Sequence, residues 1–436
     1  MKSWKFQESF VRPISVKINP KDDFLNFMIV YNKIYNKCLD FCFEKKIFDY
    51  KTLNTKSYKK LRKQYPDIPS NVIQCIERSA IGTLKASITI YIKKNKLLRN
   101  ESNTLLALQN IKKPYNKQYS GILLNARNIS LLKGNILSFS TFLSHGRTKQ
   151  NIKIPNFFKE KYDISKFKCG TIRFDSKKQQ FFADLYFETA SIKPNFQEPK
   201  VLGIDRGLNN LVYASNNFSY SSKSMMRTKK RYNYNRSKIQ SKGTRSAKRC
   251  LQRLSGREKR FIENVNHVIS KQVANLPYNI FVLEDLSGIR KQKSKGKHFN
   301  GLLNSWSFYQ LEQFLIYKCQ EKGKIVVKVN PYMTSQRCHI CGFTDKSNRK
   351  GSQFKCQECQ HVTHADFNAS KNIMRKFLLE PQKYIKDFDI FFKVEVNQPN
   401  ELSKMSNEDL ISRLKFKVSM KDCKGDLELD TINCNQ

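Results

Sequence analysis

No stretch of this chain reaches the roughly 18 consecutive apolar residues of a membrane-spanning helix. The opening residues MKSWKFQESF also lack the apolar core of a secretory signal. Membrane-embedded and signal-directed classes are therefore set aside, and the expectation is a soluble, intracellular protein, cytoplasmic or, in a prokaryote, nucleoid-associated. Acidic residues are scarce: 36 Asp and Glu stand against 81 Lys and Arg, a formal net charge of +45 over 436 residues. A compact chain so one-sided repels itself, and a polyanion is the ligand that relieves the repulsion. Nucleic acid is the expected partner, with an anionic membrane surface as the weaker alternative. Each phosphate neutralised would add about 0.9 to the log–log salt slope of binding, so affinity should fall steeply with salt. Eight of the twelve cysteines, Cys38, Cys42, Cys75, Cys169, Cys250, Cys319, Cys423 and Cys434, lack metal-ligand spacing. That pattern suits a reducing compartment in which thiols persist.

What is present is enough apolar material, 39% with 31 Phe and 19 Tyr, for the cores of two or three domains. Residues 1–20 alternate like a strand, and then Phe24, Phe27, Met28, Tyr31, Ile34, Tyr35, Cys38 and Cys42 recur at helical spacing. A second helix is expected after Pro69, with Ser70 as its N-cap. The polar segment 92–120 reads as loop and short helix. From about 133 to 190 the pattern turns to strands: GNILSFSTF, NIKIPNF, and a hairpin turning at Asp175 to Lys178. Val201 opens a new unit of two strands around a tight turn, VLGIDRGLNNLVYAS. Residues 221–260 then carry fifteen Lys or Arg against the single acid Glu258, a net of +14. Such a run is either a solvated segment or one that tracks a phosphate backbone, with Tyr232 and Tyr234 available to stack on bases. A helix over 245–276, the strand NIFVLED, a helix over 305–322 and the strand KIVVKV complete a βββαβαβ order, and Phe367 to Phe377 form a last helix.

Between that last strand and that last helix lie two CxxC pairs, Cys338/Cys341 and Cys356/Cys359, with fourteen residues between them. Two knuckles at this spacing aim four thiolates at one tetrahedral Zn²⁺. The alternatives are a pair of disulfides or four unrelated thiols, and a CxxC bridge is too tight to be unstrained outside a redox motif.

Three carboxylates fall where strand ends and a helix could converge: Asp205 in GIDRG, Glu284 in FVLEDL and Asp366 in HADFNA. A lone Asp at a strand end is ordinarily a turn or cap residue. Asp on a first strand, Glu on a fourth and Asp on a final helix is, however, the layout of an RNase H-like nuclease. Clustered carboxylates need cations to stay ionised together, and hard oxygen donors suit two Mg²⁺ or Mn²⁺ ions. Asp285, next to Glu284, should face the other side of its strand.

The blocks GIDRG, FVLEDLSGIR, NSWSFYQLEQFLIYKCQEKGKIVVKVNPYMTSQRCHICG and FKCQECQHVTHADFNASKNI resemble the RuvC-type nuclease and zinc ribbon of the TnpB family, the RNA-guided DNA endonucleases of insertion sequences. They also resemble miniature type V CRISPR effectors. The close resemblance spans about 200–376. It implies an α/β multidomain fold: an RNase H-like (RuvC) nuclease domain over 196–333 and 362–376, with an inserted zinc ribbon over 334–361. A β-barrel-like wedge domain over 1–20 and 131–195, carrying a helical recognition insertion over 21–130, would precede it. Residues 377–436, with eleven acids and nine bases, lie outside the family core and have no assigned role. Asp205, Glu284 and Asp366 are then implied as ligands of catalytic Mg²⁺ or Mn²⁺, and Cys338, Cys341, Cys356 and Cys359 as ligands of structural Zn²⁺. Arg349 in SNRKG matches an arginine that the family's ribbon places near the scissile phosphate. His361 and His364 are expected to pack or touch phosphate rather than bind zinc.

The implied partners are a guide RNA and double- and single-stranded target DNA, with target choice made by pairing plus a short flanking motif and a basic channel holding the heteroduplex. Residues 288–301 would be a mobile lid. A guided DNA-binding regulator without cleavage and a strand-transfer transposase are the rival readings, and retention of all three carboxylates weighs against the first. Oligomeric state is left open.

Overall fold

The structure, a computed structural model, describes residues 6–20, 23–194, 199–287, 307–385, 388–392 and 405–418. The expected lid over 288–301 lies outside them. No described helix is long and apolar enough to cross a membrane. The chain divides into two compact units, Ser9–Ala190 and a second comprising 1–8 and 191–436.

In the first unit, strand β1 (Ser9–Ile18) alternates as the pleat requires, burying Ile14, Val16 and Ile18. Four helices follow: α1 (Phe24–Glu44), α2 (Tyr50–Gln64), α3 (Ser70–Lys94) and α4 (Glu101–Asn110). Strands β2 (Ile122–Leu124), β3 (Ile129–Leu132), β4 (Ile136–Ser140) and β5 (Arg147–Asn151), helix α5 (Asn156–Lys161), and the hairpin β6 (Phe167–Asp175) and β7 (Gln180–Ala190) complete the unit. The first sheet runs β1-β7-β6-β2 and the second β3-β4-β5. Helices and strands share one core that includes Val16, Phe27, Ile76, Leu137 and Phe187. Each such side chain contributes about 1.5–3 kcal/mol by burial.

Three local readings change. Ser70 is the first residue of α3, not its cap; the preceding Pro69 is extended and its carbonyl accepts from Val72 and Ile73. NIKIPNF is not a strand. Its Ile152 and Ile154 are buried, but pairing ends at Asn151, and Pro155, which has no N–H to donate to a ladder, leads directly into α5. Helix α2 went unforeseen because its buried stripe is only Leu53, Ser57 and Leu61.

The second unit is built on a five-stranded sheet in the order β10-β9-β8-β11-β12. These strands are β8 (Val201–Asp205), β9 (Asn210–Ala214), β10 (Ser219–Ser221), β11 (Ile280–Glu284) and β12 (Ile325–Val329). The first three pair antiparallel, whereas β8, β11 and β12 are parallel. Between β10 and β11 come α6 (Lys223–Ser241), α7 (Arg245–Leu254) and α8 (Arg257–Asn275), and α9 (Phe308–Gln320) leads into β12. The basic run is therefore helical, with only Met225 and Lys229 of α6 buried. The single helix expected over 245–276 is broken at Gly256, whose φ of +80° is a left-handed conformation that glycine adopts without penalty. Cysteine knuckles and the small sheet β13 (Arg349–Lys350), β14 (Gln353–Lys355) and β15 (Val362–His364) precede α10 (Ala365–Leu379).

Helix α10 covers one face of the sheet, packing Ile373, Met374, Phe377 and Leu378 against Val201, Val282 and Val327. The region with no assigned role completes that core. After the short α11 (Pro381–Tyr384), helix α12 (Asn407–Arg413) lays the fully buried Leu410 on it, Glu408 pairs with Lys371 at 3.0 Å, and Arg375 donates to the Met405 carbonyl. Strands β16 (Phe388–Phe392) and β17 (Leu414–Val418) form a separate antiparallel pair.

Candidate functional site

Asp205 and Glu284 are the last residues of β8 and β11, which are neighbouring parallel strands in a register that sets Ile204 beside Leu283. Their carboxylates therefore emerge side by side at the carboxyl edge of the sheet, where open α/β sheets place ligands. The third carboxylate arrives from α10, whose first turn holds Asp366, 7% exposed. Gly203 permits this approach, since α10 crosses β8 where any side chain would collide with the Ser370 carbonyl. Asp285 does not join the cluster. It has left the strand, its N–H donates to the Val329 carbonyl, and its carboxylate accepts from the Ser287 N–H, which holds its pKa below the usual range despite partial burial.

Each carboxylate is held. Asp366 accepts from Asn210 Nδ2 at 2.9 Å and from Arg349 Nη2 at 3.1 Å, so the structure brings Arg349 to the cluster. Glu284 accepts from the Thr334 hydroxyl. The buried Arg206, next to Asp205, donates to the Glu284 carbonyl at 2.6 Å and to Glu312 at 3.0 Å. His364 caps α10 by accepting from the Asp366 N–H, and its ring stacks on Tyr213 with centroids 4.9 Å apart. It serves packing, and His361 packs edge-on against His339.

Desolvation raises the Asp205 pKa well above the usual carboxylate range, and the charges of Glu284 and Asp366 raise it further, against the opposing Arg349. Glu284 is raised by the same desolvation, partly offset by Thr334 and Arg206. The charges of Glu284 and Asp366 act on Asp205 with less countercharge than the three acids need. Their hard oxygen donors are the type that suits a divalent cation such as Mg²⁺ or Mn²⁺, although the donor oxygens of the three do not all lie within 4.8 Å of one another.

The cysteines form a second centre. Cys338, Cys341, Cys356 and Cys359 are the only described group of three or more ligand-type residues whose donor atoms all lie within 4.8 Å of one another. The Sγ separations are 3.7 Å for Cys338 to Cys359 and 3.5 Å for Cys341 to Cys356. Four sulfurs around one zinc at about 2.3 Å stand about 3.8 Å apart, whereas a disulfide needs about 2.05 Å. The set therefore fits zinc, and all four cysteines are free thiols. Without a metal they disagree about protons: burial pushes Cys338 up to about 12, while the His361 N–H holds the exposed Cys359 down at about 7. A cation that claims all four thiolates removes the conflict. Cys356→Ser is accordingly expected to lower zinc from one equivalent per chain and to expose the ribbon to protease. Full zinc content in that variant, measured by atomic absorption, would remove the four-cysteine assignment.

Residues 185–288 match the family described as probable transposase, and residues 308–373 match the Cas12f1-like TNB domain. This part of the chain is related to TnpB-like proteins and Cas12f1 nucleases. It is 35% identical over 128 residues to the CRISPR-associated endodeoxyribonuclease Cas12f1 of Sulfoacidibacillus thermotolerans, covering 28% of this chain and 29% of that one. It is 37% identical over 160 residues to a TnpB-like protein of Methanocaldococcus jannaschii, covering 35% of this chain and 57% of the relative. The chain thus spans less than two thirds of either relative's length. The solved structure of the mini-RNA-guided endonuclease CRISPR-Cas phi3 aligns over 84% of this chain and 92% of its own, with a TM-score of 0.54 at 13% identity, a likeness of fold alone. The transposase match contains Asp205 and Glu284, and the TNB match contains the four cysteines, Arg349 and Asp366.

Sequence reasoning missed Gly203, Arg206, Asn210 and Thr334. Their signal was position: three sit inside or beside GIDRGLNN, and Thr334 opens the first knuckle.

Proposed function

We propose that this chain is a TnpB-type RNA-guided DNA endonuclease that hydrolyses phosphodiester bonds. In this reading residues 196–333 and 362–376 form an RNase H-like (RuvC) nuclease domain and 334–361 its zinc ribbon. Residues 1–20 and 131–195 form a wedge with the recognition insertion 21–130. The observation that carries the proposal is the convergence of Asp205, Glu284, Asp366 and Arg349 at one sheet edge. The strand order supports it, with three antiparallel strands continued by two parallel ones, and the acids on the unit's first strand β8, its fourth strand β11 and the helix α10 that packs on the sheet.

Asp205, Glu284 and Asp366 would hold Mg²⁺ or Mn²⁺, which supplies Lewis-acid stabilisation of the attacking and leaving oxygens. The protein's own share is positioning. Asn210 and Arg349 fix the Asp366 carboxylate, Thr334 fixes that of Glu284, and Arg349 brings a planar donor fork suited to a phosphate. The helices α6, α7 and α8 offer exposed basic residues to a nucleic-acid backbone, with the 65% exposed Tyr234 available for stacking.

The protein purified with its own RNA is expected to cut a plasmid carrying the guide-matched sequence in Mg²⁺, with binding that weakens steeply as salt rises. Failure to cut any matched target across a library of flanking sequences would sink the enzyme reading and leave a guided binding protein. The Cas12f1-like match over 308–373 favours a second reading, a miniature type V CRISPR effector with the same chemistry. Sequencing the copurified RNA separates the two, since a transposon-end RNA and a repeat-derived RNA differ plainly.

A further inference from the structure

The zinc knuckle and the carboxylate cluster share a set of buried hydrogen bonds. Backbone from Thr334 to His339, which contains the first of the four cysteines, Cys338, runs along α10 and is gripped there by two asparagines. Asn372 Nδ2 donates to the Thr334 carbonyl at 3.0 Å and to the Arg337 carbonyl at 2.6 Å. Asn368 Nδ2 donates to the same Arg337 carbonyl at 2.7 Å, while its Oδ1 accepts from the His339 N–H at 3.0 Å and faces His339 Nδ1 at 2.9 Å. Both asparagines are essentially inaccessible, at 0% and 1% exposure. They stand one turn apart on the helix whose first turn carries Asp366. Thr334, 2% exposed, closes the circuit through its hydroxyl to Glu284. On the other side of the ribbon, Arg349 of β13 reaches Asp366.

We infer that Thr334, Asn368 and Asn372 are positioning residues that couple the zinc knuckle to the Glu284 and Asp366 carboxylates. Occupancy of the four cysteines then sets the affinity of the carboxylates for a divalent cation. This inference rests on the nuclease-site reading above and adds to it a thermodynamic link between the two metal centres. Buried polar groups of this kind have no solvent to fall back on: losing Asn372 takes its side-chain donor from the Thr334 carbonyl, and losing Asn368 takes the acceptor from the His339 N–H, and either loosens the knuckle. Outer hydrogen bonds to metal ligands ordinarily change affinity by about 10–100-fold. Coupling is reciprocal, so a cation on the carboxylates must also tighten the zinc.

The test uses the full-length protein with its copurified RNA and Mn²⁺ as the probe, bound Mn²⁺ being read by electron paramagnetic resonance. Thr334→Val keeps the shape and removes the hydroxyl; it is expected to weaken Mn²⁺ binding about tenfold at one zinc per chain. Thr334→Ser, which keeps the hydroxyl, is expected to restore it. Release of zinc to a chelator is expected to slow severalfold when Mn²⁺ is added to the wild type, and Asn372→Ala is expected to abolish that slowing. Unchanged Mn²⁺ affinity in Thr334→Val, or zinc release indifferent to Mn²⁺ in the wild type, overturns the coupling. Wild-type protein that binds no Mn²⁺, or an Asp366→Ala variant that binds it normally, overturns the nuclease-site reading instead.

Discussion

Replacing Asp205 by alanine is expected to lower target cleavage on the order of a thousandfold or more, while guided binding of the target persists. The argument is one of position and charge. Asp205 feels both of the other acids: the charges of Glu284 and Asp366 each raise its pKa, and it ends the strand on which α10 packs. Metal assistance contributes several kcal/mol to phosphodiester hydrolysis, and each 1.36 kcal/mol is a factor of ten in rate. The basic helices that would hold nucleic acid are untouched. A stability measurement checks the same residue without catalysis. An acid whose pKa is raised on folding binds more protons folded than unfolded, so its ionisation destabilises the fold. The effect is absent below the usual carboxylate range near pH 4, and it grows as pH rises through the raised value of folded Asp205. Metal-free wild type should therefore lose melting temperature across that window, whereas Asp205→Asn should lose less and melt higher at neutral pH. Mg²⁺ should raise the melting temperature of the wild type more than that of the variant. Identical melting curves for the two proteins at neutral pH would mean that Asp205 is not buried against like charge.

Why these residues were legible, and their supports were not, follows from what each leaves in a sequence. Four thiols at CxxC spacing have few uses, and the structure sets their sulfurs at separations that suit one zinc. Asp205 and Glu284 were visible because each closes an almost wholly apolar run, as expected of parallel strands buried on both faces. Arg349 was singled out by the family resemblance alone, because a two-residue strand carries no periodic signal and seventeen positions separate it from the Asp366 it reaches. Thr334, Asn368 and Asn372 look like ordinary polar residues in a turn and on a helix. Their importance lies in which carbonyls they reach, and that depends on the chain path of the knuckle. Helix α2 escaped for a related reason: it is held partly by a buried polar contact, Ser57 Oγ to Glu77 at 2.6 Å, rather than by a broad apolar stripe. Before the helix expected from 245, the basic run over 221–244 left helix and coil open because its charge hides the period, and the structure makes most of it the helix α6.

Gly203→Ala is expected to have the largest effect on stability, on the order of 3–5 kcal/mol, out of about 5–15 kcal/mol for a typical domain. A Cβ at this position would stand 2.1 Å from the Ser370 carbonyl oxygen and 2.8 Å from both the N and the Cβ of Met374. Backbone atoms of α10 cannot swing aside as a side-chain tip would. Moving the helix as a whole would strip Ile373, Met374 and Phe377 from the sheet and pull Asp366 from Asn210 and Arg349. The strand cannot yield either, since its partner β11 holds it in register from Val201 to Ile204. Gly82→Ala is the matched contrast. It lies within α3 with nothing inside 4 Å of its would-be Cβ, so alanine there should gain about 0.5–1 kcal/mol by helix propensity. Thermal denaturation followed by circular dichroism reads both, and zinc content reports whether the ribbon survives in the Gly203 variant. If Gly203→Ala melts like the wild type, α10 does not lie on β8 at this separation. Asp366 would then lose the contact that carries it to the end of the strand bearing Asp205.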